Sequence, residues 1–401
     1  MADLLKNKQI VLGVCGGIAA YKAADFARQL VKAGACVRVV MTKAAQAFVG
    51  PVTFEAITGN PVWTSMFDQT GDGVFRHIKW ARQSDVAVII PATANTIGKL
   101  AHAIADDPLT TLILGMKGPV LVCPAMNVRM YENPLVQDNI GRLCRAGMHL
   151  VGPGTGALAC GDEGAGRLAE LETIEEELRC LLASKDLAQE RVLVTAGPTR
   201  EPMDPVRFVS NPSSGRMGYA VAKAARRRGA KVVLVSGPVA LPDPYGVKTI
   251  RVCTAKEMFD AVKAEAQEST VVIKAAAVSD WRPTHVSRHK VKKGENQFQC
   301  TFEKTDDILA ALGQAKGERV LVGFAAETQD LKENARAKLE GKNLDMVVAN
   351  VVGQDGSGFG AETNQVSFLY KDGTVEDLAL MDKASLADMI LDSVLRIRRA
   401  Q

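Results

Sequence analysis

The run Ser213-Ser214-Gly215-Arg216-Met217-Gly218 follows a buried-type strand, Val192 to Thr195, and leads into an Ala-rich helical stretch, YAVAKAARRRG. A strand, a small-residue loop and a helix N-terminus make an anion cradle, because unpaired backbone N–H groups and the helix dipole both point at the ligand. Further along, Lys290, Lys292 and Lys293 form a basic cluster in a Pro/His-bearing loop. Such a cluster suits a triphosphate and a developing acyl phosphate, although a solvated charge run is its commoner meaning. Asp280 follows a buried strand, where it can receive a ribose hydroxyl, a base amine or Mg²⁺ through water, or simply cap a turn. Lys338 and Lys342 are four apart and share one helix face near the strand ends.

The chain opens in the same manner, with QIVLGVCGGIAAYKAADFARQL. The loop Gly13 to Ile18 lacks the G-x-G-x-x-G spacing, and the second strand ends at Met41-Thr42-Lys43, where a NAD site wants an acidic residue. A cofactor with one terminal phosphate and a hydroxyl-rich chain fits better, lying over Gly16 and Gly17 with Thr42 as hydroxyl partner. Tight packing of helix on strand explains Gly17 equally well. Pro91-Ala92-Thr93-Ala94-Asn95 puts small and polar residues directly after a strand and suits a flat ligand. Pro124-Ala125-Met126-Asn127 ends another strand. Its asparagine can clamp a carboxylate or a flavin edge, or cap the next helix. Residues 152–166 hold six glycines and predict a mobile flap rather than a packed element. Cys160, between Ala159 and Gly161 in that flap, is a candidate proton donor or nucleophile, structural indifference being the alternative. A lone histidine such as His77 is more often structural than catalytic.

These residues need elements to carry them, and the apolar runs supply them. IVLGVC, CVRVVM, VAVIIPA, PVLVCPA and HLVG alternate with helical patterns in residues 1–190. RVLVTAG, KVVLVSG, VKTIRV, STVVIKAAAV, RVLVGFAAE and DMVVANVV do so in 191–401. Continuous Val/Ile runs between helices predict parallel strands covered on both faces, hence two fused doubly wound, Rossmann-like α/β domains joined by the linker KDLAQE. In such sheets ligands collect beyond the carboxyl ends of the strands. VSFLYKDGTVEDL predicts a β-hairpin turning at Asp372-Gly373, and an amphipathic helix should run from about Lys383 to Arg399.

The 401 residues suffice for two cores, and a net charge of +4 with Lys and Arg spread along the chain does not point to a nucleic-acid partner. No apolar run approaches ~20 residues and MADLLKNKQ holds no signal-type segment, so a soluble, cytoplasmic protein without membrane contact is expected. The eight cysteines contain no C-x-x-C pair, and most, Cys36 and Cys123 among them, are expected to fill core.

His77-Ile78, PAMNVRMY and ACGDEGAGR stand in the order found in flavin-dependent cysteine decarboxylases. More closely, the front half resembles the decarboxylase domain of the bifunctional coenzyme A biosynthesis family, whose partner domain is phosphopantothenate–cysteine ligase. FVSNPSSGRMG, KAAAVSDWRP and VGFAAET, with HKVKK and KLEGKNLDMVVAN, resemble that ligase across nearly the whole second half. Pro212, where the family has a basic or polar residue, and Lys274, before AAAVSD, are departures.

The resemblance implies that the second domain activates 4′-phosphopantothenate with CTP and Mg²⁺ to an acyl-cytidylate, which the cysteine amine then attacks. It assigns Asn211 to the acyl intermediate and Lys290 to the triphosphate. Lys274, Ala275, Ala276, Asp280, Asp306, Asp307, Ile308, Leu309, Phe324, Lys338 and Lys342 would hold the nucleotide, with Asp280 reaching the metal. In the first domain it implies FMN, with His77 as base, Asn127 as carboxylate anchor and Cys160 as proton donor during decarboxylation to 4′-phosphopantetheine. Family decarboxylases form trimers and ligases form dimers, which together imply a dodecamer. A peptidyl-cysteine decarboxylase fused to a nucleotide-binding domain, and a non-catalytic flavin-binding regulator, are the other readings.

Overall fold

The computed structural model describes residues 4–67, 75–157, 161–292, 299–327, 331–351 and 361–400. The chain divides into two units between residues 183 and 184. Among the described residues no helix is long and apolar enough to cross a membrane.

The first unit runs β1 (Gln9–Val14), α1 (Ala20–Lys32), β2 (Cys36–Met41), α2 (Pro51–Thr58), α3 (Arg76–Gln83), β3 (Val86–Ala92), α4 (Ala94–Ala101) and α5 (Pro108–Leu114). It continues through β4 (Val120–Pro124), α6 (Val128–Tyr131), α7 (Pro134–Arg145), β5 (His149–Leu150), β6 (Gly154–Ala157), β7 (Glu163–Arg167) and α8 (Leu171–Leu182). Five parallel strands lie in the order β2-β1-β3-β4-β5, the flavodoxin-like arrangement. The Val/Ile runs are continuous because successive side chains enter two different cores. Ile10, Leu12 and Val14 meet Phe26, Leu30 and Leu178 on one face, and Val11 meets Trp80, Leu109 and Leu112 on the other. Connections leave β1 and β3 toward opposite faces, which opens a crevice at their carboxyl ends.

The glycine-rich stretch differs from expectation. Its described parts are packed: β6 and β7 pair as an antiparallel hairpin, and Met126 N–H donates to Gly166 O at 2.9 Å. A Cβ at Gly166, whose φ is +156°, would lie 2.3 Å from Met126 O, so glycine there permits a close approach to the loop after β4.

The second unit runs β8 (Arg191–Ala196), β9 (Arg200–Pro202), β10 (Phe208–Ser210), α9 (Arg216–Arg227), β11 (Lys231–Ser236), β12 (Lys248–Arg251), α10 (Ala255–Glu265), β13 (Val271–Lys274), β14 (Trp281–Pro283) and β15 (Phe302–Lys304). There follow α11 (Ile308–Gln314), β16 (Val320–Glu327), α12 (Leu331–Gly341), β17 (Met346–Val351), β18 (Thr363–Asn364), β19 (Val366–Tyr370), β20 (Val375–Asp377), β21 (Met381–Asp382) and α13 (Lys383–Ala400). Its main sheet has the order β12-β11-β8-β13-β16-β17-β19-β20. The first six are parallel in the Rossmann order, and β19 and β20 extend them antiparallel through the turn at Asp372-Gly373. Val192 and Val194 pack with α9 and α13, while Leu193 packs with α10, α11 and α12.

The segment expected to link the domains belongs to the second unit. Leu187 is fully buried in that unit's core, and its N–H donates to Arg228 O at 3.0 Å. Asp186 takes both Arg228 Nε and Nη2, at 2.9 and 2.8 Å. Fewer cysteines fill core than expected. Cys15, Cys123 and Cys180 are buried, Cys36 and Cys300 are half-buried, and Cys144 and Cys253 are exposed, because their helix and loop positions face outward.

Candidate active sites

In the first unit the loops after β1, β2, β3 and β4 surround a cleft of about 960 Å³. Gly16, Gly17, Thr42, Thr93, Asn95 and Asn127 all line it. A Cβ at Gly16 would stand 2.5 Å from Ala44 Cβ and 2.7 Å from the Ala44 carbonyl carbon, so only glycine lets this loop lie against the turn after β2. Thr42 Oγ1 accepts the Ala45 N–H at 3.3 Å and keeps its own hydrogen to donate. Thr93 caps α4, accepting the Thr96 N–H at 3.3 Å. Lys22, Lys43, Lys99 and Arg167 bring positive charge to the wall. Lys99 is held by Asp106 at 2.7 Å and Asp107 at 3.2 Å, and hydrogen bonding to Asp106 in particular raises its pKa. Small residues for a flat ring, hydroxyls for a polyol chain, and cations with a helix N-terminus for one phosphate fit flavin mononucleotide. Beneath the loop, Thr96 Oγ1 donates to Cys15 Sγ at 3.2 Å. Burial pushes the Cys15 thiol up to about 11, so it remains a neutral packing group.

Asn127 is the helix cap that its position after β4 allowed, and it stands at the cleft. Its Oδ1 accepts the Arg129 N–H at 2.9 Å in the first turn of α6. Its Nδ2 donates to Asp162 Oδ2 at 2.8 Å, which ties the loop after β4 to the residue before β7. His77 sits half-buried on α3 and is not in the wall of this cleft. Cys160 lies outside the described residues.

The second unit has two adjoining cavities of about 310 and 410 Å³, which share Lys274, Val278, Asp280 and Lys338. Buried threonines within and after β8 position the loop between β13 and β14. Ala276 N–H donates to Thr195 Oγ1 at 3.2 Å and Ser279 N–H to Thr199 Oγ1 at 3.0 Å. Asp306, Asp307, Ile308 and Lys342 line the smaller cavity, and Asn211, the Ser213–Gly218 loop, Ala275, Ala276 and Phe324 the larger. Asn211 Nδ2 donates to Val278 O at 3.1 Å. Lys342 pairs with Asp307 at 2.7 Å. Burial opposes ionisation of Asp307, but Lys342 and the Ala310 N–H prevail and lower its pKa. Burial first, then Lys338 and Lys342, push the Lys274 ammonium down to about 8.

Leu309 is in neither wall. It is 1% exposed beneath Gly323, since α11 turns the residue after Ile308 into the core. Lys290 is exposed and lines neither cavity, and Lys293 lies outside the described residues. The loop bearing Lys290 is nonetheless fixed by residues that sequence reading missed. The Asp204 carboxylate accepts the N–H groups of Val206, Arg207 and Val291 at 2.8, 2.8 and 3.2 Å, and Arg207 Nη2 donates to Val291 O at 2.6 Å. Burial works against the Asp204 charge, yet these N–H groups and the Arg207 guanidinium hold its carboxyl well below the usual range. The spacing Asp204-x-x-Arg207 within a Pro-bearing turn was the available signal.

Among the described residues no three His, Cys, Asp or Glu side chains gather as a metal cage. An exposed Asp280 carboxylate beside Asp306 fits a magnesium ion that arrives on phosphates and keeps waters of its own.

Residues 2–182 match the family model described as Flavoprotein, and residues 187–397 match that of the DNA/pantothenate metabolism flavoprotein C-terminal domain. The coenzyme A biosynthesis bifunctional protein CoaBC of Bacillus subtilis is 46% identical over 400 residues, covering 98% of this chain and 97% of that one. The CoaBC of Escherichia coli K12 is 42% identical over 395 residues, covering 97% of each. A crystal structure of a CoaBC C-terminal domain is 44% identical, covers 54% of this chain and all of its own, and superposes with a TM-score of 0.48. With both halves matched in order and nearly end to end, the chain belongs to the family of coenzyme A biosynthesis bifunctional proteins.

Proposed function

We propose that this chain carries out two successive steps of coenzyme A biosynthesis. Residues 184–401 act as a phosphopantothenate–cysteine ligase and residues 2–183 as a phosphopantothenoylcysteine decarboxylase. The similarity to bifunctional relatives across both units carries the reading. In the ligase, CTP would lie across the two cavities, and Asp280 would hold the Mg²⁺ that offsets phosphate charge. Lys290 offsets charge on the triphosphate, and Asn211 gives up its bond to Val278 O to donate to the acyl-cytidylate as pyrophosphate leaves. The cysteine amine then displaces CMP and forms the amide.

In the decarboxylase, Gly16, Gly17, Thr42, Thr93 and Asn95 hold FMN, which supplies reversible two-electron acceptance beside the cysteinyl thiol. His77 takes the thiol proton, Asn127 orients the carboxylate through its amide N–H, and Cys160 returns a proton after CO₂ leaves. His77 is absent from its own chain's cleft wall, which supports a cleft completed by a second copy. Trimers of the first unit and dimers of the second then build a dodecamer, working in the cytoplasm on small phosphorylated substrates.

Mass spectrometry of the purified chain with 4′-phosphopantothenate, cysteine, CTP and Mg²⁺ tests this. The expected product is 4′-phosphopantetheine. His77→Asn or Asn127→Asp should stop at phosphopantothenoylcysteine with ligation intact. Aspartate at 127 would also set two carboxylates against each other where the amide now meets Asp162 at 2.8 Å. Full conversion by either variant would remove that residue from the mechanism, and no amide from the wild-type chain would refute the ligase.

A further inference from the structure

Behind the nucleotide site, α10 and α11 enclose a groove of about 370 Å³. Phe259, Val262 and Ala266 stand three and four residues apart, as do Ile308, Ala311 and Ala315, so each helix turns one apolar face into the groove. Val262, Ala266 and Ile308 are buried in the core on this side of the sheet, and Phe259 packs against it half-buried. The rim has the opposite character. Lys263 and Arg319 line it, and no carboxylate does so among the described residues. Lys263 is exposed and has no ion-pair partner among those residues, while Arg319 Nη1 donates to the Ala315 carbonyl at 2.6 Å. An apolar floor beneath two cations without a counter-charge is complementary to an apolar chain that ends in an anion.

The groove also touches the nucleotide site, because Ile308 stands in the walls of both. Ile308 opens α11, whose cap Asp307 accepts the Ala310 N–H at 3.0 Å and pairs with Lys342 at 2.7 Å in the smaller cavity. The helix has seven residues, about two turns, so whatever parts it from α10 displaces Asp307 and Ile308 together. We propose that this groove is an effector site for an amphiphilic carboxylate, and that filling it weakens nucleotide binding. The apolar chain lies over Phe259, Val262 and Ile308, and the carboxylate meets Lys263 and the planar fork of Arg319. The effect on the nucleotide rests on the ligase reading above, whereas the groove and its charges do not.

The test titrates CTP into the FMN-loaded full chain with Mg²⁺ by calorimetry, with and without octanoate below its micelle concentration. Octanoate should raise the Kd of CTP about fivefold or more, and saturating CTP should raise the Kd of octanoate by the same factor, because coupling between two sites is reciprocal. Lys263→Glu, a change at an exposed position, should bind octanoate roughly tenfold more weakly and keep the wild-type affinity for CTP. Arg319→Gln should act in the same direction. Octyltrimethylammonium, which has a similar chain and the opposite charge, should leave CTP binding unchanged. Equal weakening by both amphiphiles, unaltered octanoate binding in Lys263→Glu, or an octanoate affinity that CTP does not move overturns the proposal. So does a wild-type chain that binds no octanoate, the result expected if a second copy covers the groove. A wild-type chain that binds no CTP without octanoate overturns the ligase reading and the coupling, while octanoate binding that Lys263→Glu weakens would still support the groove.

Discussion

Lys274 is one of the four residues that the two ligase cavities share, and its ammonium is poised. Burial, Lys338 and Lys342 press its pKa down to about 8, against Asp280 and Asp307. Bound phosphates would raise it again. Above pH 8 the free protein therefore loses a proton that the complex keeps, so binding must take one up and weakens as pH rises. Calorimetry should find CTP affinity level below pH 8 and falling by up to about tenfold per unit above it. Lys274→Gln should bind more weakly at pH 7 and lose most of that slope. A wild-type affinity that stays level to high pH would remove Lys274 from the phosphate site. Folding has the opposite sign. The unfolded chain keeps its proton to about 10.5, so this group favours the folded state increasingly as pH rises from 8 toward that value. Residue type alone marked Lys274 as a departure, but the junction it occupies depends on two loops far apart in the chain. Leu309 shows the reverse limit, since it adjoins Ile308 in sequence and yet faces the core.

At the scale of elements, the strands were legible because buried parallel strands must be apolar at every position, as in VAVIIPA of β3. The glycine-rich stretch predicts freedom, yet its described parts pair as a hairpin, because glycine serves both freedom and close approach, and at Gly166 in β7 it serves the second. Gly16 and Gly17 separate those uses within a single turn. An added Cβ at Gly16 collides with Ala44 at 2.5 Å, including its backbone, whereas at Gly17 it meets only Thr93 Cγ2 at 3.9 Å and Pro91 at 4.0 Å. Gly16→Ala should therefore displace the turn after β2 and cost about 1–3 kcal/mol of stability, seen as a lower Tm even without flavin. Gly17→Ala should leave the flavin-free Tm unchanged. It should weaken flavin binding only if the backbone there touches the cofactor, a difference that flavin fluorescence on titration measures. Equal Tm losses in the two variants would refute this account of the loop.

At the scale of the whole molecule, the restart of a strand–loop–helix pattern at residue 191 made two units legible, but not where one ends. KDLAQE reads as a linker because five of its six residues are polar or small, and nothing local shows that Leu187 is fully buried. Contacts within the second unit claim it: Lys185 Nζ on Arg227 O at 2.7 Å, Asp186 on Arg228, and Glu190 on Arg398 at 3.3 Å. Removing them takes Asp186 from Arg228, which is only 8% exposed in its side chain, and leaves it the half-exposed Asp392 at 2.7 Å. Losing one fully buried leucine alone costs about 2–3 kcal/mol, and uncovering the Arg228 pair adds to that. A fragment of residues 184–401 should accordingly melt higher than one of residues 191–401, by roughly 5–10 °C at about 2–4 °C per kcal/mol for a chain of this size. Leu187→Ala in the longer fragment should account for about half of the gap, and Asp186→Asn for part of the remainder. If the two fragments melt together, residues 184–190 are a tether and the boundary returns to 190.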